Sequence, residues 1–386
     1  MSTYSSRFIK ILSLSLTVFL VVSSTIPLWA DTANSGFDAG SFGISCGSGH
    51  SMLMLDDGSV WCWGDNEVGE LGDGTAGDFN WDTHDNFRTR PFKVFDGAAA
   101  IGTTSGDSFV LNRSGELYAW GWNYAGRMGI GSEDFCVPSP AKVLNSVSSI
   151  AEGKSNHSMA VKTDGTLWAW GSNWNGQLGD GSKVNRSKPV KIMDGVRTAA
   201  IGESHTLEVK KDGSLWTWGA NQEGQLGTGN SKAILKPVKI LTNVSKVSCG
   251  SNQSAAVTND NKLWIWSRDL TGSYGKPKVF MEGVKDVALG VNFVMALKTD
   301  GTLWSWGNND CGQLGDGTRI KREKPIKTMS NVIKFAAGNE HAMVITKDGK
   351  LWSYGLNDCG QLGLGDIVNR TKPALVMDLT QKNLTV

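Results

Sequence analysis

The chain has 386 residues, 40% of them hydrophobic and 19% charged, with a formal net charge of +1 and a pI near 7.6. A nearly neutral chain with no basic run is poorly equipped to grip phosphate backbones, so nucleic acid is not the expected partner. Its length alone would suggest two or three domains, but internal repeats override that prior and point to one cooperative body.

Residues 1–30 have the layout of a secretory signal. Arg7 and Lys10 make a positive start, Ile11 to Val22 an apolar core, and Leu28-Trp-Ala30 a cleavage site in which Leu28 stands where a small residue is preferred. The apolar core is short for a membrane span, so none is expected once the signal is removed. These features predict a secreted or cell-surface protein. Residues 31–39 read as a short linker.

From residue 40 onward one unit recurs, and its third copy, DGTLWAWGSNWNGQLGDG at 164–181, shows the local physics best. Asp164-Gly165 between two apolar runs suits a tight hairpin, whose central residues need φ > 0. His157 to Val161 precedes it as an apolar run of strand length. Leu167, Trp168, Ala169 and Trp170 follow, apolar on both faces, which suits a strand sandwiched between two other layers. A Gly-rich polar segment turns the chain, and Pro189 to Ile192 forms a last strand whose proline suits a sheet edge.

The copies begin at Asp57, Ser114, Asp164, Asp212, Asp260, Asp300 and Asp348, and their closing positions are separated by 57, 50, 48, 48, 40 and 48 residues. Periods of this size with four short strands per unit specify a propeller. The expected fold is therefore all-β: a seven-bladed β-propeller of four-stranded antiparallel blades. Its repeats fall at about 40–95, 96–144, 145–193, 194–241, 242–281, 282–329 and 330–378, with a tail at 379–386. The N- and C-terminal strands are expected to share a blade, which would remove free sheet edges.

NWNGQLGDG at 173, NQEGQLGTG at 221, NDCGQLGDG at 309 and NDCGQLGLG at 357, each behind an LWxWG-like strand, resemble the regulator of chromosome condensation repeat over roughly residues 40–378. WD repeats would be shorter, and kelch repeats would carry paired glycines.

Three departures break the symmetry: an insertion within 75–87, a fifth unit that keeps only RDLTGSYG in place of its turn, and a second unit ending in Glu133-Asp-Phe-Cys-Val137. The insertion could offer Asp78, Asp82 and Asp85, with Asp73, to calcium, but the spacing matches no established loop and a solvated acidic loop is expected. His50, His157, His205 and His341 each stand eight residues before the turn glycine. Because other units place Asp107, Gln253 and Phe293 there, the position is read as structural hydrogen bonding rather than metal ligation. No metal, cofactor or catalytic residue is expected.

Cys46 and Cys249 share one repeat position and Cys311 and Cys359 another, which holds the members of each pair apart. Only Cys62 and Cys136 fall outside this registry as a candidate bridge.

The candidate binding residues are Phe79 and Trp81 of the first unit, Trp122 and Tyr124 of the second and Trp174 of the third, aromatics in turns that repeat folding does not require. Either they form a contiguous patch on one face, as protein interfaces use, or they pack against their own loops. The resemblance implies a protein-binding module, since exported bacterial members, among them a beta-lactamase inhibitory protein, bind proteins through aromatic-rich loops. Glycan stacking on Trp122 or Trp174 is the alternative. The family's best-known role, nucleotide exchange on a small nuclear GTPase, fits poorly with an export signal and the lack of a basic tail.

Overall fold

The computed structural model describes residues 41–77, 86–132, 134–267 and 274–381. The signal and linker, Phe79, Trp81 and the acidic stretch 78–85 lie outside the described residues. Seven antiparallel sheets of four strands succeed one another along the chain, at 43–95, 98–144, 147–193, 196–241, 244–282, 284–329 and 332–378. We number them blades 1 to 7. The one described helical segment is a single turn, Tyr124–Gly126.

Blade 3 shows how the repeat builds a sheet. Asp164 accepts hydrogen bonds from the Thr166 amide at 2.9 Å and hydroxyl at 2.7 Å, while Gly165 takes φ +83°, so the hairpin is fixed by local chemistry. Thr166 in turn receives the Trp168 indole N–H at 2.8 Å. The next strand, Leu167–Gly171, is buried on both sides, because each of its faces meets an adjacent blade. Arg186–Met193, which contains Pro189, is the outermost strand.

The polar turn after the third strand is held by one asparagine in six blades. Its Oδ1 accepts the amide five residues on, as Asn173 does from Leu178 at 3.0 Å, and its amide group donates to carbonyls nine and eleven residues on, those of Ser182 and Val184 at 3.2 Å. Asn66, Asn123, Asn221, Asn309 and Asn357 take the same Oδ1 bond.

Blades are joined by a repeated polar link inside an apolar seam. The carbonyl of Gln177 accepts both the Trp218 indole N–H and the Thr206 hydroxyl of the next blade, each at 2.8 Å, and Thr206 also meets Nε2 of His157 at 3.0 Å. Since the hydroxyl proton goes to the carbonyl, Nε2 is the donor. His50 reaches Ser108 at 3.0 Å, His205 reaches Ser254 at 2.9 Å and His341 reaches Ser51 at 3.0 Å. Where Phe293 and Gln253 replace the histidine, the next blade carries Ala342 and Val294 in place of the hydroxyl. The histidines are structural; burial drives all four down to about 3.

The ring closes differently from expectation. Each blade is contiguous in sequence, and blade 7 has its own inner strand, Val332–Ala337, so the terminal strands share no blade. Closure is instead lateral, through an interface like the other six. His341 and Ser51 bond across it, as do Asn339 and Ser48 at 2.9 Å. The first repeat begins early enough to supply a complete inner strand, Gly43–Cys46, which leaves no position for the last strand to fill.

Blade 3 departs at the axis. Glu152–Gly153 leaves its own sheet and pairs in parallel with Ala200 and Ile201 of blade 4. From there Lys154 crosses the ring, donating to the carbonyls of Cys46 at 2.8 Å and Ala337 at 2.9 Å.

All six cysteines are free thiols, Cys62 buried and Cys136 half-buried, so the candidate bridge between these two is not formed.

Candidate protein-docking face

Strand order places the turns between first and second strands, and those between third and fourth, on one face. They touch in blades 1 to 4, 6 and 7; Asp65 N–H, for example, bonds the Gly49 carbonyl at 2.9 Å. On this face the aromatic side chains of blades 2 and 3 come together. Trp122 and Tyr124 stack with ring centres 5.5 Å apart, and Tyr124 meets Trp174 edge-on at 5.7 Å. Trp122 also contacts Phe135 at 6.3 Å. Tyr124, Phe135 and Trp174 remain 41%, 46% and 51% exposed, so the rings form a continuous patch rather than folding into separate loops. Such geometry adds to simple area burial and leaves flat apolar faces for a partner.

Three of the five predicted residues, Trp122, Tyr124 and Trp174, are thus brought together; Phe79 and Trp81 lie outside the described residues. Phe135 was missed. It sits in the atypical end of the second unit, where no repeat position marks it, and the signal available was the apolar residue in the irregular run Glu133 to Val137.

The patch rests on a buried charge. Arg127 stands where other turns carry Gln177, Gln225, Gln313 and Gln361. Its guanidinium lies 5.0 Å from the Trp122 ring centre and donates to Asp107 at 2.7 Å, Asn156 at 2.9 Å and the Ser155 carbonyl at 2.6 Å. Both members of the ion pair are fully buried, and Thr104 completes the cluster with bonds to Asp107 at 2.5 Å and from Arg127 at 3.2 Å. Burial pushes Asp107 up to about 6, against the opposing pull of Arg127. The cation fastens the blade 2 turn onto blade 3 and gives Trp122 a fixed platform.

Elsewhere on this face four outer-turn aspartates are held in ion pairs. Asp73 is paired with Arg88 at 2.5 Å and receives Thr75 at 2.6 Å, and Asp180, Asp316 and Asp366 pair with Arg186, Arg322 and Arg370. Among the described residues no three His, Cys, Asp or Glu side chains converge as metal ligands.

Comparison with known proteins agrees with this architecture. Residues 38–252 match the RCC1-like domain, and residues 300–345 and 348–386 match the regulator of chromosome condensation (RCC1) repeat. The ultraviolet-B receptor UVR8 of Arabidopsis thaliana is 36% identical over 124 residues, 31% of this chain and 26% of the receptor. Human protein RCC2 is 32% identical over 107 residues, 26% of this chain and 18% of RCC2. The matched stretches therefore span only a minor part of these relatives. Among solved structures, human WBSCR16 superposes with a TM-score of 0.73 at 20% identity, covering 83% of this chain and 94% of that one. Prp20p of Saccharomyces cerevisiae superposes with a TM-score of 0.66 at 23% identity, covering 76% and 80%. Both likenesses speak to the fold. With a domain model matched over more than half its length and a seven-bladed ring to accompany it, the chain belongs to the RCC1-like domain family.

Proposed function

We propose that this protein is a secreted or surface-exposed propeller that docks another protein through the aromatic patch of blades 2 and 3. The observation that carries the reading is the continuity of Trp122, Tyr124, Trp174 and Phe135 on one face, over a guanidinium locked in place by Asp107. Preorganised aromatic rings lose little freedom on binding, which is why they anchor interfaces. The family context supports a binding role: the Prp20p structure was described together with its binding to Gsp1p and histones. The signal-like residues 1–30 support export.

The test is a capture experiment with residues 31–386 against culture fluid and surface extract, in parallel with a Tyr124→Ala/Trp174→Ala variant. A protein partner held by the first and lost by the second is the expected result. An identical catch with both moves the site elsewhere, and binding to a glycan array that is abolished by the variant replaces the reading with a lectin. Export is tested separately, by finding the full-length gene product in the culture fluid or on the cell surface; retention inside the cell defeats it.

A further inference from the structure

The residue after each of the six keystone asparagines holds the corresponding place in its turn. Where it is exposed it is Tyr124 in blade 2, Trp174 in blade 3 and the neutral Gln222 in blade 4, but Asp310 in blade 6 and Asp358 in blade 7, while Glu67 of blade 1 is buried. In a seven-membered ring blades 6 and 7 lie across the axis from blades 2 and 3. One ring position is therefore aromatic on one side of the axis and anionic on the other.

The inner turns add carboxylates near the axis on both sides. Glu203 in blade 4 and Glu340 in blade 7 stand on them beside the axis, Glu203 exposed and Glu340 half-buried. Asp310 and Asp358 are both exposed. Glu340 adjoins blade 6 through the Cys311 thiol at 3.7 Å, so it continues the carboxylate row from Asp310.

The basic residues nearest the axis do not offset these charges. Among the described residues of the inner turns, and of the outer turns as far as their Gly-Gln-Leu-Gly or equivalent, the basic side chains are Arg127 and Lys154. Arg127 is buried against Asp107. The ammonium of Lys154 is buried against two backbone carbonyls. The other described cations of the outer turns, Lys183, Lys232, Lys276, Arg319 and Lys321, lie toward the outer strands. Among the described residues, the middle of the face thus presents carboxylates and aromatic rings to solvent, while its cations are turned inward.

Building on the docking function proposed above, we infer that the partner presents a basic protein segment with apolar side chains, laid across the axis of this face. Its apolar residues pack on Tyr124, Trp174 and Phe135, and its lysine or arginine side chains meet Asp310, Asp358, Glu340 and Glu203. A cation that strays onto the patch is also accommodated, since exposed indole and phenol faces attract ammonium and guanidinium groups. An acidic segment would meet like charge at Asp310, Asp358, Glu340 and Glu203, so charge selects among apolar partners.

The experiment uses residues 31–386 and three peptides of equal length in which leucine and phenylalanine are interspersed with lysine, with glutamate or with serine. Binding is read by calorimetry at low and raised salt. Two variants accompany the wild type: Glu203→Gln/Asp310→Asn/Glu340→Gln/Asp358→Asn, which keeps shape and removes charge, and Tyr124→Ala/Trp174→Ala. The expected result is tightest binding of the lysine peptide, roughly tenfold over the glutamate peptide, weakened by salt and by the amide variant to a similar extent. The aromatic variant should lose most of the affinity for every peptide that binds.

If the three peptides bind alike and the amide variant changes nothing while the aromatic variant still fails, the charge inference falls and the docking patch stands. If no peptide binds, or the aromatic variant binds like wild type, the patch itself is wrong and both fall together. Unchanged melting of the two variants keeps a folding defect from imitating either outcome.

Discussion

The guanidinium of Arg127 sits 5.0 Å from the Trp122 ring centre while its Nε bonds Asp107 at 2.7 Å, so a buried ion pair and an interface aromatic share one side chain. Replacing Arg127 by Gln alone, the residue found in four other turns, leaves Asp107 buried without its counter-charge. The expected loss is about 3–5 kcal/mol of stability, measured by denaturant unfolding. Restoring the repeat pattern takes more than a second change. In blades 1, 4 and 7 the histidine ring lies over Gly47, Gly202 and Gly338, where an added Cβ would come within 2.1–2.3 Å of it, and blade 2 has Thr104 at that place. Thr104→Gly/Asp107→His/Arg127→Gln should therefore recover most of the loss, whereas Asp107→His/Arg127→Gln should not. Equal stability of the double and triple variants would contradict this account.

Two tryptophans four residues apart should behave oppositely. Trp170 is fully buried and donates to the Arg127 carbonyl at 2.8 Å; its replacement by Ala should cost on the order of 3–5 kcal/mol. Trp174 is 51% exposed, and its replacement should cost under about 1 kcal/mol while removing partner binding. Equal melting losses would mean that Trp174 is part of the packing and not a docking surface.

The repeat made most of the architecture legible, because a strand apolar on both faces, such as Leu167 to Trp170, has few other places to go than between two blades. The role of the histidines was legible for the same reason: a position that accepts Phe293 is packing, not chemistry. What the sequence concealed were features set by partners distant along the chain. Nothing near Arg127 names Asp107 as its counter-ion, and nothing near Lys154 announces carbonyls of Cys46 and Ala337 across the ring. Closure was misread because the local motif does not say whether the inner strand of the last blade comes from the start or the end of the chain. Phe135 escaped because it lies where the second unit abandons the repeat.

The four inter-blade histidines predict acid sensitivity. Their folded values lie near 3 because burial disfavours the charged ring, below the unfolded value of about 6.5. The unfolded chain therefore binds more protons over that interval. Their contribution is complete above pH 6.5 and is lost as pH falls toward 3, at up to about 1.4 kcal/mol per unit for each histidine. Thermal melting followed from pH 7 to pH 4 should fall steeply. His205→Phe/Ser254→Ala, which copies the Phe293–Ala342 pairing, should reduce the slope by one proton. An unchanged slope would show that His205 does not carry the titration.

Glu208 predicts a slope of opposite sign at one seam. Six blades place Leu53, Val110, Ala160, Ala256, Ala296 and Val344 at this position, and blade 4 alone has a carboxyl. It is buried opposite Ala199 and Trp216, on the side where those residues pack against Met159 and Ala169 of blade 3. Neither oxygen has a hydrogen-bond partner. Burial raises the group to about 8, with Lys210 pulling down and Asp212 pushing up more weakly. The folded state thus holds a proton that the unfolded chain releases near 4.3. Stability from this site is full below that value and is lost as pH rises toward 8, at about 1.4 kcal/mol per unit. Glu208→Leu, which copies blade 1, should melt above wild type at pH 8, with the advantage shrinking steadily as pH is lowered to 5. A constant difference across that range would place the carboxyl in contact with water and remove it from the seam.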